Sequence, residues 1–131
     1  MRKIIIDTNF LMIPFQFRVD IFSEIDRLCN FAYKLYIFSA SIGELESIIK
    51  NQKGKSKRAA QFALKLANLK KIGIIDAKGS DVDGLILENC GDAIIATQDR
   101  ELKRKLAEKK ASIIILRQKN HLELIERKLY K

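Results

Sequence analysis

Four acids stand out by where they fall relative to the apolar runs: Asp7 closes "KIIID", Glu44 sits in "SIGELESI", Asp83 in "DVDGLIL" and Asp99 in "ATQDRELKRKL". Each follows a run of strand length or opens the helical pattern after it. In open parallel sheets ligands collect beyond the carboxyl ends of the strands, so acids at these positions can converge on one edge. Carboxylates brought together repel, and a cation lets them stay ionised; hard oxygen ligands select Mg²⁺ or Mn²⁺. Such a centre activates water and neutralises charge on a phosphate under attack.

Each acid also has a local alternative. Ser41 and Glu44 fit a capping box, Ser80 and Asp83 a close relative of one, and Asp99 suits the N-cap of the helix it begins. Asp7 has the weakest alternative: "DTN" suits an Asx-type turn, but the residues after it are apolar and show no need for one. Capping does not require the acids to gather at one edge. Asp76, Asp81 and Asp92 read as helix-start or turn residues, with Asp81 the nearest competitor of Asp83. His121, the only histidine, reads as incidental. No GxGxxG or P-loop follows the first apolar run, which argues against a nucleotide-cradling enzyme. Nothing in the sequence resembles an aromatic stacking platform.

The elements that must hold these acids follow from periodicity. Ile4 to Ile6 is a buried strand, because β-branched side chains are stiff and pack well on a pleat. Phe10 to Ile13 makes a short turn that Pro14 keeps from running on. Asp20 caps a helix with Phe22, Ile25, Cys29 and Ala32 along one face. Leu35 to Phe38 is a strand, Ser41 begins a helix carrying Ile42, Leu45 and Ile49, and an alanine-rich helix spans about 58–71. Gly73 stops it, Ile74 and Ile75 form a short strand, and Ser80 opens a helix burying Val82, Leu85, Ile86 and Cys90. Ala93 to Ala96 is a strand, Asp99 to Lys110 a helix and Ile113 to Leu116 a strand. Beyond about residue 118 the pattern weakens, and Leu122, Ile125 and Leu129 suit a closing helix or a fraying tail. The alternation is that of an α/β chain with a parallel sheet covered on both faces.

A chain of 131 residues, 47% hydrophobic, suits one domain over 1–131. No apolar run approaches the roughly 18 residues of a membrane span, and the "MRKIII" run meets Asp7 before it forms a signal h-region, so a cytoplasmic chain is expected. Cys29 and Cys90, far apart and outside any CxxC pair, suit free thiols in a reducing compartment. Lys and Arg number 25 against 16 acids, a net charge of +9. No acid falls between Ser47 and Ile75, where Lys53, Lys55, Lys57 and Arg58 lie, and Arg100, Lys103 and Arg104 head a second basic run. Two such blocks point to a phosphate-backbone partner.

Taken in order, "IIIDTNFLM" with Asp7 and Asn9, "SIGELESI" with Glu44, "DVDGLIL" with Asp83 and "IIATQDRELKRKL" with Thr97 and Asp99 resemble the PIN-domain ribonucleases, from Ile4 to about Leu116. The last segment is most similar to the branch that matures ribosomal RNA. The resemblance implies an α/β/α sandwich of parallel strand order 3-2-1-4-5 and Mg²⁺- or Mn²⁺-dependent endonucleolytic cleavage of RNA. Carried over by position, Asp7, Glu44, Asp83 and Asp99 are the catalytic and metal-binding quartet, with Asn9 and Thr97 as polar helpers. Asp81 competes with Asp83 as the inward acid, and Gln98 stands where relatives often have Asn. Ribosome-assembly proteins, an antitoxin for a toxin ribonuclease, or a second copy of the chain are the partners the resemblance leaves open. A non-catalytic RNA-binding module whose acids only cap helices is the competing reading.

Overall fold

Ile4, Ile5 and Ile6 are at most 1% exposed and lie at the middle of the sheet in the computed structural model, which describes residues 1–77 and 81–127. Their strand, β1 (Arg2–Ile6), pairs in parallel with β2 (Tyr33–Phe38) on one side and with β4 (Ile94–Ala96) on the other. β3 (Gly73–Ile75) extends the sheet beyond β2, and β5 (Ile113–Arg117) beyond β4, both in parallel. The expected order 3-2-1-4-5 is therefore present.

Alternation along β1 divides the core, since successive side chains point to opposite faces. Ile4 and Ile6 pack with Phe10, Leu11, Ile25, Leu45 and Ala63 under α1 (Ile13–Phe17), α2 (Ile21–Leu28), α3 (Ser39–Asn51) and α4 (Gly54–Leu69). Ile5 packs with Phe38, Ile86, Ile95, Leu102 and Leu106 under α5 (Val82–Asn89) and α6 (Arg100–Glu108). Cys29 and Cys90 are buried free thiols on these opposite faces. Among the described residues no helix is long and apolar enough to cross a membrane.

The structure corrects several expectations. The segment beyond 118 is neither helix nor fraying tail: His121–Ile125 forms a sixth strand, β6, antiparallel to β5. The turn between them places Gln118 and Lys119 at φ 51° and 60°, with the Asn120 N–H donating to the Arg117 carbonyl. Two positive φ values mark the hairpin turn that usually recruits Asn-Gly, and neither residue advertises it. Leu129 lies outside the described residues. Pro14 lies in the first turn of α1 rather than stopping a turn, a position where a missing N–H costs nothing. Gly73 lies in β3, and the left-handed residue after α4 is Lys71 at φ 51°. Gly73 instead permits a close approach, because a Cβ there would meet the Tyr36 ring at 2.7 Å.

Asp20 does cap α2, its carboxylate accepting the N–H groups of Phe22 and Ser23 at 3.1 and 3.2 Å. Asp20→Ala is expected to cost about 1 kcal/mol, read as a fall of a few degrees in the thermal midpoint.

Candidate active site

Ile6, Phe38 and Ala96 end three adjacent strands at one edge of the sheet, and the residues that follow them face a common cleft. Asp7 is tied to that edge by its own N–H, which donates to the Ala96 carbonyl at 2.9 Å. Its side chain is 4% exposed. Oδ1 accepts the Thr8 N–H at 2.9 Å and Oδ2 accepts the Thr97 hydroxyl at 2.7 Å. Asp7 thereby caps the 3-10 helix Thr8–Met12, so it has the local role that its apolar followers seemed to rule out. That short helix exists because Phe10 and Leu11 must turn into the core.

Thr97 is fully buried and joins two of the acids. Its Oγ1 accepts the N–H of Asp99 at 3.0 Å and gives its own proton to Asp7. Asp99 in turn caps α6, its Oδ1 accepting the Leu102 N–H at 3.0 Å.

Glu44 is held differently from the expectation of a capping box. α3 starts at Ser39 with Phe38 as its N-cap and no capping side chain, which puts Ser41 inside the helix, fully buried. The Thr8 hydroxyl lies 2.9 Å from Ser41 Oγ and 2.5 Å from Glu44 Oε1. A carboxylate only accepts, so the single Thr8 proton goes to Glu44 and Ser41 donates to Thr8. Thr8 and Ser41 are thus positioning residues that periodicity did not single out. The signal available was the spacing of Ser41 and Leu45, four apart on a helix and so on one buried face.

Asp81 occupies the N-cap position of α5 without a side-chain capping bond, and Asp83 lies in the first turn. Ser80, the other half of the expected box, lies outside the described residues. The Asp81 carboxylate rests against Gly84, where a Cβ would meet Oδ1 at 2.5 Å.

Charge couples these groups. Burial pushes the Asp7 carboxyl up to about 6; the Thr97 and Thr8 hydrogen bonds oppose that rise, and the charges of Asp83 and Glu44 add to it. Partial burial raises Asp83 as well, with Asp99, Asp81 and Glu44 each adding repulsion. Asp83 is thus among the charges that raise Asp7, and Asp81 among those that raise Asp83.

Asp7, Asn9, Glu44, Asp81, Asp83 and Asp99 line one cleft of about 520 Å³, and no Lys, Arg or His is among the described residues of its wall. Among the described residues no three acids close into a ready-made ion cage. Asp7, Glu44 and Asp99 are each turned toward a donor within the protein instead. The Asn9 Oδ1 is buried without a hydrogen-bond partner. An orphaned carbonyl oxygen beside carboxylates is a donor set suited to a hard divalent ion.

The other sites separate. Asp76 accepts the Ser39 hydroxyl at 3.2 Å, and His121 lies in β6 beside Asn120; neither lines the cleft. Lys53, Lys55, Lys57, Arg58 and Arg100 are exposed, and Lys103 is partly so. Arg104 is engaged by Glu101 and Glu108, both at 2.5 Å, so its charge is largely compensated within α6.

Comparison with known proteins agrees with the fold. The family described as "PIN like domain" matches residues 4–119. Ribonuclease VapC4 of Methanocaldococcus jannaschii is 36% identical over 129 residues, which is 95% of this chain and 97% of that protein. Ribonuclease VapC9 of Archaeoglobus fulgidus is 35% identical over 107 residues, covering 79% and 75%. The solved PIN domain endonuclease Utp24 superposes with a TM-score of 0.78 over 97% of this chain and 92% of that one, at 21% identity, a likeness of fold.

Proposed function

The chain belongs to the PIN-like domain family, and from that premise we propose that it is a divalent-metal-dependent endoribonuclease acting on single-stranded RNA. The observation that carries the reading is the cleft itself: five carboxylates, Asp7 and Asp83 among them raised by the charges of their neighbours, and an orphaned amide oxygen at the sheet edge. The relatives named ribonucleases support it. Asp7, Glu44, Asp83 and Asp99 would hold Mg²⁺ or Mn²⁺, with the Asn9 Oδ1 and Asp81 beside them. When bound, the ion supplies an activated water and neutralises charge on the scissile phosphate. Thr97 orients Asp7 and Asp99 together, and the Ser41 to Thr8 relay orients Glu44. Lys53, Lys55, Lys57, Arg58, Arg100 and Lys103 grip the flanking backbone, with a smaller share for Arg104.

For the biological setting, maturation of ribosomal RNA rests on the Ala96 to Leu106 segment. The second reading is a toxin ribonuclease silenced by an antitoxin. One observation favours it: the Methanocaldococcus relative is a ribonuclease matched over 97% of its length, so such an enzyme needs little beyond this domain. Growth arrest on expression, relieved by a co-expressed partner, selects the toxin setting.

The activity is tested by incubating the purified chain with single-stranded RNA and Mn²⁺. Internal cleavage that stops on chelation is the expected result. RNA binding without cleavage, indifferent to Mn²⁺ and to acid substitutions, overturns the enzyme and leaves the RNA-binding module.

A further inference from the structure

We propose that the groove between α1 and α4 is a nucleotide subsite, in which single-stranded RNA stacks a base on Phe15 and Phe62 and seats a phosphate among Arg18, Lys55 and Arg58. The inference rests on the reading of RNA as the substrate.

The groove has a volume of about 630 Å³, and no acid lines it. Phe15 from α1 and Phe62 from α4 meet in its wall with ring centroids 6.0 Å apart and planes tilted by 53°. Phe62 is 40% exposed, so an aromatic face stays open to the groove. The sequence concealed this platform, because its two rings come from separate helices with the whole of α2, β2 and α3 between them.

Three cations surround the pair. Arg18, Lys55 and Arg58 line the groove, all exposed, and none forms an ion pair among the described residues. Arg18 terminates α1 in a left-handed conformation, φ 56°. Lys55 and Ser56 lie in the first turn of α4, a helix of 16 residues with no capping side chain and no acid in that turn. Its unsatisfied N–H groups add positive potential where Lys55 already stands. An aromatic face beside uncompensated cations matches a base joined to its phosphate, and base-to-aromatic stacking tolerates any sequence because every base has a π face. A second copy of a chain carrying +9 is a poorer fit, since basic groove would meet basic surface.

The groove is also within reach of the cleft. Met12 lines the cleft and Pro14 lines the groove, so the two walls are linked by residues whose Cα atoms lie no more than about 8 Å apart. A strand whose scissile phosphate sits at the carboxylates can continue over Met12 onto the phenylalanines.

The test measures binding of a fluorescent single-stranded RNA by anisotropy, in the Asp7→Asn protein so that the RNA stays intact. Phe62→Leu is expected to weaken binding about 5- to 100-fold, with Phe62→Tyr close to the parent. Arg58→Gln is expected to weaken binding and lower the salt slope by about 0.7. Inorganic polyphosphate, which has no bases, is expected to lose affinity with Arg58→Gln and to ignore Phe62→Leu. Unchanged RNA affinity in Phe62→Leu overturns the subsite, as does an equal loss for polyphosphate. So does a change from dimer to monomer in sedimentation with RNA affinity intact, which assigns the groove to a second copy. A wild-type chain that binds RNA through Phe62 and fails to cleave it with Mn²⁺ supports the subsite while overturning the nuclease.

Discussion

Asp7→Asn is expected to remove RNA cleavage, by at least about a hundred-fold, and to make the folded chain more stable. The loss follows from deleting a carboxylate oxygen of the most buried acid in the cleft; changing residues that merely orient a metal ligand already costs about 10- to 100-fold. The gain follows from linkage. Asp7 titrates near 6 in the folded chain against a usual value of 3.8, with burial the largest cause. For an acid whose folded value is raised, the fold favours the protonated form. Stability from this group is therefore greatest below about pH 4, falls between 4 and 6, and above 6 is lower by about 3 kcal/mol. Asparagine removes the charge and keeps an oxygen for the Thr8 N–H. Its amide nitrogen then faces the Thr97 hydroxyl, whose proton loses the acceptor it had in Asp7, and that loss returns about 1 kcal/mol. The net expectation at pH 7.5 in chelator is about 2 kcal/mol, or roughly 5–10 °C in the thermal midpoint. The two proteins should converge as the pH approaches 4, and Mn²⁺ should raise the midpoint of the wild type much more than that of the variant. Equal cleavage by both, or equal midpoints at pH 7.5, refutes the assignment.

That balance between stability and function explains why so much of the site was legible from spacing. A buried triple-isoleucine strand has one way to leave the core, and whatever follows it is carried to the sheet edge; Asp7 was readable for that reason, whereas Thr97 came only with the family resemblance. Glu44 and Asp99 were readable as following strands, but their local roles were not. The capping box at Ser41 and Glu44 presupposed a helix starting at Ser41. α3 starts at Ser39 directly off β2, since Phe38 is both the last strand residue and the N-cap. Asp7 seemed to have nothing to cap because 3-10 helices leave no periodic signature, and this one is dictated by packing of Phe10 and Leu11. β6 was missed for a related reason. Only Leu122 of its residues is fully buried, so period-two alternation is faint, and its turn uses Gln118 and Lys119 where Asn and Gly would announce it. The Thr8 to Ser41 contact and the Phe15 to Phe62 contact each join segments distant in the chain, and a single sequence carries no signal for such pairs.

Thr8→Val carries the second large effect, because it deletes one hydroxyl that serves two partners, the buried Ser41 and Glu44 at the cleft. Valine keeps the shape and removes both the donor to Glu44 and the acceptor for Ser41. Ser41 is fully buried, so its hydroxyl must find a carbonyl of the preceding turn of its own chain or go unpaired. The expected cost is about 1–3 kcal/mol, read as a fall of several degrees in the thermal midpoint. Glu44, without its donor and repelled by Asp7 and Asp83, is free to swing outward. Cleavage is then expected to fall about 10- to 100-fold, with a higher Mn²⁺ requirement, as for other residues that orient a ligand. Thr8→Ser retains the hydroxyl and should restore most of both properties. Ser41→Ala removes only the far end of the relay, so the Thr8 proton still reaches Glu44: stability should drop by about 1 kcal/mol with cleavage close to wild type. If Thr8→Val and Thr8→Ser lose activity equally, Thr8 acts through packing alone and Glu44 needs no oriented donor. If Ser41→Ala matches Thr8→Val in lost cleavage at equal stability, the proton runs toward Ser41 and the direction assigned to the relay is wrong.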